Sequence, residues 1–113
     1  MLNVTTNVQH SDVDVYTAIA HPVRRQLLDM LRDKEQSVKQ LSEPFDMSRP
    51  AISQHLRILL DVGLVSEQRK GRERRYQLHA EGLKEVQRWI ETYQRFWGDR
   101  LQALGNFLEE KGD

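Results

Sequence analysis

The stretch Ser48-Arg-Pro-Ala-Ile-Ser-Gln-His-Leu-Arg57 has the pattern of a capped helix with one buried stripe. The Ser48 hydroxyl can accept a hydrogen bond from the backbone of the first turn. Proline does no harm in that turn, because its missing N–H would be unpaired there. Apolar residues recur at Ile52, Leu56 and Leu59, spaced i, i+4 and i+7. This spacing predicts a helix that turns one face into a core and exposes the other.

The exposed face of this helix carries side chains suited to DNA bases. Gln54 can bond adenine through two atoms, Arg57 can bond guanine, and Ser53 can bond a base edge or a phosphate. Any soluble helix exposes polar residues, so the face alone does not decide between a DNA reader and a solvated surface. His55 borders the apolar stripe, and we expect it both to pack and to contact phosphate. The predicted DNA-binding residues of the helix are Ser48, Arg49, Ser53, Gln54, His55 and Arg57.

Two short helices are predicted near the N-terminal end of the chain. Ser11 and Asp14 resemble a capping box for the first helix. His21-Pro22 interrupts it and begins the second, with His21 as the cap and proline in the first turn. The expected inward-facing residues are Val13, Tyr16 and Ile19 in the first helix, and Val23, Leu27, Met30 and Leu31 in the second.

A brief third helix and a turn then lead to Ser48. Ser37 and Gln40 form an S-x-x-Q capping box, and Pro44 ends the helix, which places Val38 and Leu41 inward. Residues 45–47 form the turn, where Asp46 can adopt a left-handed conformation at modest cost. Two short helices joined by a tight turn predict a helix-turn-helix.

The residues after Ser48's helix predict a β-hairpin. Gly63 is a helix stop, and residues 64–69 and 74–79 are strand-like segments around a turn that contains Gly71. The turn and its flanks carry a run of basic side chains. A charge run is often only a solvated surface, but the position of this one beside the helix favours a wing that contacts DNA. Strand alternation places Arg72 and Arg74 on one side and Arg75 on the other. The basic residues of the wing are Arg69, Lys70, Arg72, Arg74 and Arg75.

One long helix is predicted from Glu81 to Glu110. Its apolar residues form two stripes, whereas a helix that packs only on its own small domain needs one. A generous intramolecular core is the alternative, but we expect a homodimer, whose two-fold symmetry suits a palindromic operator. The predicted interface residues are Tyr16, Trp89, Tyr93, Phe96, Trp97, Leu101 and Leu104.

The charge distribution also favours a DNA partner. The net charge of the 113 residues is zero. Residues 1–47 carry five basic and seven acidic side chains (net −2), residues 48–79 seven and three (net +4), and residues 80–113 five and seven (net −2). Positive charge concentrated in the middle third suits a protein that contacts phosphate on one face.

Composition excludes several other functions. The chain has no cysteine, and its four histidines form no H-x-x-x-H pair, so no metal site is predicted. No nucleophile elbow or glycine-rich phosphate loop is present, so we predict neither an enzyme nor a cofactor. No apolar run approaches the roughly 18 residues of a membrane span, and residues 1–10 do not resemble a signal peptide, so a cytoplasmic location is expected.

The predicted fold is mainly α (α+β), a winged helix-turn-helix with the order α1-α2-α3-α4-β1-β2-α5. We expect a flexible N-terminal arm at residues 1–11 and one domain at residues 12–113, with the dimerisation helix at about residues 81–110. Expected partners are double-stranded DNA and a second copy of the chain, with no membrane.

Several segments resemble ArsR-type repressors over roughly residues 13 to 108. They are His21-Pro22-x-Arg24-Arg25-x-x-Leu28-x-x-Leu31, Leu41-Ser42-Glu43, the stretch from Met47 to Leu59, Gly63-Leu64-Val65, and Arg69-x-Gly71-Arg72-x-Arg74-x-Tyr76-x-Leu78. The resemblance implies a homodimeric repressor whose first and last helices form the dimer interface. It also implies that Arg49, Ser53, Gln54 and His55 face DNA, with Arg72 and Arg74 in the wing.

The resemblance does not extend to the metal-sensing members of that family. Their third helix carries cysteines, where this chain has Ser37-Val38-Lys39-Gln40-Leu41, and others place Asp and His ligands on a last helix that here has no histidine. Asp46 also replaces a residue that is often small. The segment from Trp89 to Leu104 resembles a metal-independent branch.

Two alternatives remain at the level of sequence. A winged-helix module that holds a partner protein would need an exposed apolar patch where this chain has a basic and polar face. A repressor that responds to an unknown small-molecule effector could form a pocket between the long helices, lined by Trp89, Tyr93 and Trp97. The sequence predicts a dimeric, metal-independent repressor that binds a short inverted repeat.

Overall fold

A computed structural model of the protein describes the backbone of residues 13–112 and the side chains of residues 13–98. The predicted N-terminal arm lies outside the described residues. The described elements, in chain order, are α1 (Val15–Ile19), α2 (Pro22–Met30), β1 (Gln36–Ser37), α3 (Val38–Ser42), α4 (Arg49–Asp61), β2 (Val65–Lys70), β3 (Glu73–Leu78), a 3-10 helix (Ala80–Leu83) and α5 (Lys84–Gly112). The predicted winged helix-turn-helix is confirmed, with a short β1 added.

The core is built around α4. Ile52, Leu56 and Leu59 are completely buried, as the spacing predicts. They share the interior with buried leucines from α2 and the residue after it, from α3, and from the position just before β2, namely Leu27, Leu31, Leu41 and Leu64. Burying the apolar stripe of α4 fixes the opposite, polar side of the helix toward the outside.

Both ends of α4 are closed as the sequence predicts. The Ser48 hydroxyl accepts a hydrogen bond of 3.2 Å from the backbone N–H of Ala51. At the other end Gly63 has a φ of +81°, a conformation that glycine adopts without steric cost. The N–H of Leu64 reaches the carbonyl of Leu59 at 2.9 Å, and the N–H of Gly63 reaches that of Leu60 at 3.1 Å. These two hydrogen bonds form a Schellman motif, which directs the chain from α4 into the wing.

The first helix differs from the prediction. Asp14 is its cap, because the Asp14 carboxylate accepts a hydrogen bond of 2.9 Å from the N–H of Thr17, and Ser11 lies outside the described residues. The buried face carries Val15 and Ala18. The predicted inward residues of α1 are only half-buried, since the helix spans five residues and presents its i, i+3 pair to the core.

The capping box of α3 is confirmed in both directions. The Ser37 hydroxyl accepts from the N–H of Gln40 at 3.1 Å, and the Gln40 side chain accepts from the N–H of Ser37 at 2.9 Å. The left-handed conformation expected of Asp46 is wrong, because within residues 13–112 only glycines have positive φ. The turn is closed instead by the N–H of Phe45, which bonds the carbonyl of Ser42 at 3.2 Å.

The wing is the outer part of a three-stranded antiparallel sheet with the order β1-β3-β2. Strands β2 and β3 pair from Val65 with Leu78 to Lys70 with Glu73. The connecting turn is Gly71-Arg72, and Gly71 has a φ of +66° while Arg72 does not have positive φ, which is the pattern of a type II′ hairpin turn.

Strand β1 pairs Gln36 with Tyr76 and Ser37 with Arg75. This two-residue strand attaches the start of α3 to the wing.

The last helix begins at Lys84, three residues after the predicted start, because Ala80–Leu83 form a 3-10 helix. It forms a compact unit of its own, separate from the unit that ends at Leu83. Within residues 13–112 no helix combines the length and apolar character that crossing a membrane requires.

Candidate nucleic-acid interface

The polar side of α4 and the wing face two adjoining grooves. The larger groove has a volume of about 280 Å³ and is lined by Arg49 and Ser53 of α4 and by Arg72 and Arg74 of the hairpin. The smaller groove, of about 190 Å³, is lined by Ser53 and Gln54 on the α4 side and by Arg74 on the wing side. Ser53 and Arg74 line both grooves, so the two form one polar surface.

Four predicted DNA-binding residues are thus brought to the larger groove, and Gln54 lies in the smaller one. Arg57 also lines the smaller groove, but its guanidinium pairs with Asp61 one turn later at 3.2 Å. Both partners are well exposed, so the pair is weak and easily exchanged for another anion. Ser48 is placed differently, since its hydroxyl is used to cap the helix.

His55 lies at the inner border of α4 and is half-buried. Its Nδ1 is 3.2 Å from Nη1 of Arg24, and its ring centroid is 4.5 Å from that of His21. Because a guanidinium can only donate, Nδ1 must accept and the neutral ring carries its proton on Nε2. Burial, followed by the charges of His21 and Arg24, lowers the pKa of His55 below its ordinary value of 6.5.

Arg24 links three parts of the fold and was missed at the level of sequence. Its side chain is buried, and besides His55 it donates to the carbonyl of Ala18 at 2.8 Å and to that of Thr17 at 3.2 Å. It therefore joins the end of α1 to α4. The signal was present in the chain, because Arg24, Leu27, Leu28 and Leu31 form an i, i+3, i+4, i+7 stripe.

The basic residues of the wing are only partly available to an outside anion. Glu35 accepts from Lys70 at 3.1 Å and from Arg75 at 3.3 Å, and these contacts, that with Lys70 first, lower the pKa of Glu35. Arg75 also contacts Glu73 at 2.9 Å. These acidic partners were not identified from the sequence, because 35 to 40 residues separate Glu35 from its cations.

Arg74 is also paired, on the side of the hairpin that faces the grooves. Its Nε lies 3.4 Å from a carboxylate oxygen of Glu67, which accepts a further hydrogen bond from the Tyr76 hydroxyl at 3.1 Å. Burial, with the neighbouring charge of Glu67, raises the pKa of Tyr76. By contrast, Arg49 and Arg72 have no carboxylate within 4 Å among residues 13–98.

The aromatic residues of α5 are exposed on that helix. Trp89, Tyr93, Phe96 and Trp97 have 44–54% of their surface accessible, and the rings of Trp89 and Tyr93 meet edge to face at 5.5 Å. Tyr16 of α1 is half-buried. The side chains of the other two predicted interface residues, Leu101 and Leu104, lie outside the described ones.

The large apolar side chains exposed within residues 13–98 are those four aromatics of α5. The surface between α4 and the wing is polar and basic instead. A helix-turn-helix with such a wing is the fold of a class of DNA-binding regulators. A winged helix that binds a partner protein needs an apolar patch on this surface, and no large apolar side chain within residues 13–98 is exposed there.

Comparison with known proteins identifies the family. Residues 21–67 match "Bacterial regulatory protein, arsR family". The transcriptional repressor SdpR of Bacillus subtilis is 35% identical over 68% of this chain and 86% of its own length. The HTH-type transcriptional regulator Rv2034 of Mycobacterium tuberculosis is 32% identical over 87% and 89%. The crystal structure of an ArsR family transcriptional regulator superposes with a TM-score of 0.67 at 31% identity, covering 74% of this chain and 86% of that one.

The chain therefore belongs to the arsR family of bacterial regulatory proteins. It is a DNA-binding transcriptional regulator with the winged helix-turn-helix fold of that family, which is not a family of enzymes.

Proposed function

We propose that the protein is a homodimeric repressor that binds an inverted-repeat operator in the cytoplasm without a metal ion. One observation carries the proposal. The base-reading side chains of α4 and the arginines of the wing face one continuous polar surface, to which Ser53 and Arg74 both belong.

In this proposal α4 enters the major groove and the wing follows the backbone. Gln54 reads adenine, and Arg49 and Ser53 contact base edges or phosphate beside it. The Nε2–H of His55 is the one ring donor left after Nδ1 is taken up by Arg24, so His55 serves as a phosphate donor at the edge of the helix. The remaining DNA contacts are assigned to Ser48, Arg57, Arg72 and Arg74.

Dimerisation is supported by the exposed aromatic side chains of α5. Tryptophan and tyrosine are enriched among the residues that dominate the energy of protein interfaces. Four aromatic rings within nine residues, three of them tryptophan or tyrosine and each about half exposed, suit contact with a second copy. Tyr16, Leu101 and Leu104 complete the proposed interface. A two-fold dimer presents two copies of α4 to half-sites about one helical turn apart.

Repression and independence of metal are supported by separate facts. A relative that is 35% identical is named a transcriptional repressor. In this proposal the protein represses transcription by occupying the operator, which excludes RNA polymerase. The chain has no cysteine and no histidine after His79. In α3, Ser37 and Gln40 bond each other's backbone in the capping box, so their polar atoms serve the fold.

The function is tested by selecting bound DNA from a random pool with the full chain. We expect an enriched inverted repeat whose half-site centres lie about 10 base pairs apart. Failure to enrich any sequence would contradict sequence-specific binding, and a single unrepeated motif would contradict the dimer. Sedimentation at micromolar concentration gives an independent measure, since a monomer there would also overturn the dimer.

A further inference from the structure

The larger groove contains a set of cations that the fold leaves unpaired. Lys39 of α3, Arg49 of α4 and Arg72 of the wing turn all line it. None of the three has a carboxylate within 4 Å among residues 13–98, whereas Lys70, Arg74 and Arg75 of the same wing are all paired. Three cations with no carboxylate partner in this described part of the chain thus face one concave space from three separate elements.

The remaining lining suits an anion that carries oxygen atoms. Ser53 adds a hydroxyl and Arg74 a fourth cation. Glu73 is the carboxylate of the lining, and its oxygen is held 2.9 Å from the guanidinium of Arg75. The groove thus combines four cations with one carboxylate that already has a partner.

The walls of the groove are held in a fixed relation by the backbone. Ser37 is the cap of α3 and also pairs with Arg75 in the sheet, so the helix that carries Lys39 is attached directly to the wing. Arg49 stands in the first turn of α4, which Ser48 caps. The pairing of β1 with β3 therefore sets the position of Lys39 relative to the wing.

We infer that this groove binds one phosphodiester of the DNA backbone and that Lys39 is a DNA contact outside both the recognition helix and the wing. The inference rests on the proposed function, because the phosphate belongs to the operator strand that α4 reads. Arginine guanidinium groups bind phosphate through two parallel bonds, and lysine adds a point charge. The adjoining groove with Gln54 places the phosphate beside the bases, on the same face.

The experiment pairs variants of the protein with variants of the DNA. The selected operator is synthesised with a neutral methylphosphonate at one position at a time along each half-site. Binding is measured for the full-length wild type, Lys39→Gln, Lys39→Arg and the control Lys34→Gln. Lys34 is equally exposed and lines a different depression, next to Glu35 and Gln77.

We expect Lys39→Gln to weaken binding by about five- to tenfold per half-site at 0.1 M salt and, because both protomers of the dimer lose one phosphate contact, to reduce the slope of log affinity against log salt by about 1.8. At one methylphosphonate position the wild type loses more affinity than Lys39→Gln does, by about this same factor, because the arginines of the groove contact that phosphate in both proteins. Lys39→Arg retains affinity, and Lys34→Gln behaves as wild type. If Lys39→Gln shows no such coupling at any position while the wild type binds, the inference is wrong and the proposed function stands. If the wild type binds no duplex, the proposed function fails, and this inference with it.

A separate arm distinguishes a backbone phosphate from a free one. Thermal denaturation is followed in sodium phosphate and in sodium chloride at equal ionic strength. We expect equal melting temperatures. A saturable stabilisation by inorganic phosphate that disappears in Lys39→Gln would show that the groove binds a free anion, and would overturn the assignment to DNA.

Discussion

Glu67→Gln is expected to strengthen DNA binding. In the structure Glu67 neutralises Arg74, the arginine that faces both grooves, at a distance of 3.4 Å. To contact a phosphate Arg74 must leave this carboxylate, and Glu67 itself would then lie close to the DNA backbone. The amide of glutamine can still accept the hydrogen bond from Tyr76, so the substitution removes the charge and retains the packing.

The size of the effect follows from exposure. The side chains of Arg74 and Glu67 are 41% and 29% accessible, so solvent screens the pair strongly. Pairs of this kind contribute about 0.2–1 kcal/mol. Removal of a negative charge beside the DNA adds a similar amount, which gives about 0.4–2 kcal/mol in total for each protomer. Since about 1.4 kcal/mol is tenfold in affinity, we expect binding to tighten about two- to thirtyfold per half-site.

Titration of a labelled operator by fluorescence anisotropy measures this change. Glu43→Gln is the control for net charge, because Glu43 is exposed and has no ion pair among residues 13–98. Relative to Arg74→Gln, the double variant Glu67→Gln/Arg74→Gln should retain only the part of the gain that comes from removing the negative charge, which is about half of it. Unchanged or weaker binding by Glu67→Gln at unchanged thermal stability would refute the reasoning that Glu67 competes with DNA for Arg74.

Four further outcomes are expected. Gln54→Ala should relax the preference for adenine at one operator position by about tenfold and leave folding intact. Arg24→Met should lower the free energy of unfolding by about 3 kcal/mol, or the melting temperature by about 10–15 °C, because two carbonyls and His55 Nδ1 lose a buried charged donor. Stability should fall as the pH drops from 7.5 to 5.5, because the pKa of His55 is lowered in the folded state and the unfolded chain binds more protons below about 6.5. Trp97→Ala should raise the dimer dissociation constant at least tenfold in sedimentation.

Each of these has a matched control. An equal loss of base preference at every operator position would contradict a reading role for Gln54. Arg25→Met removes an exposed arginine whose one hydrogen-bond partner among residues 13–98 is the Ile19 carbonyl, and an equal loss of stability there would contradict the role of Arg24. His55→Gln should flatten the pH dependence, and an unchanged slope would assign it to other groups. Glu91→Ala on α5 should leave the dimer intact, in contrast to Trp97→Ala.

The parts of the fold that sequence predicted are those set by local rules. The caps at Ser37 and Ser48 and the stop at Gly63 each depend on residues within a few positions, and all three are confirmed. The stripe of α4 depends only on helical spacing. The basic wing likewise follows from a turn residue, Gly71, between two strand-like segments. These signals place the recognition helix and the hairpin correctly.

The remainder depends on contacts between residues that are distant along the chain. A two-residue strand such as β1 carries no alternation, and it forms because Gln36 and Ser37 meet the edge of β3. The buried state of Arg24 depends on the carbonyls of α1 and on His55, 31 residues later. An arginine in an apolar stripe is normally placed at the surface, and only these partners make its burial favourable.

The same distant contacts change the meaning of the charge count. From residue 48 to 79 the chain has seven basic residues, of which four are paired with carboxylates among residues 13–98, namely Arg57, Lys70, Arg74 and Arg75. The remaining three are Arg49, Arg69 and Arg72. A prediction based only on the number of basic residues in the sequence would place phosphate contacts along the whole wing. In the folded protein the unpaired charge is concentrated where the first turn of α4 meets the wing turn, and Lys39 joins it from outside the basic segment. The charge that remains after internal pairing, more than the total charge, therefore determines where the backbone of DNA is expected to bind.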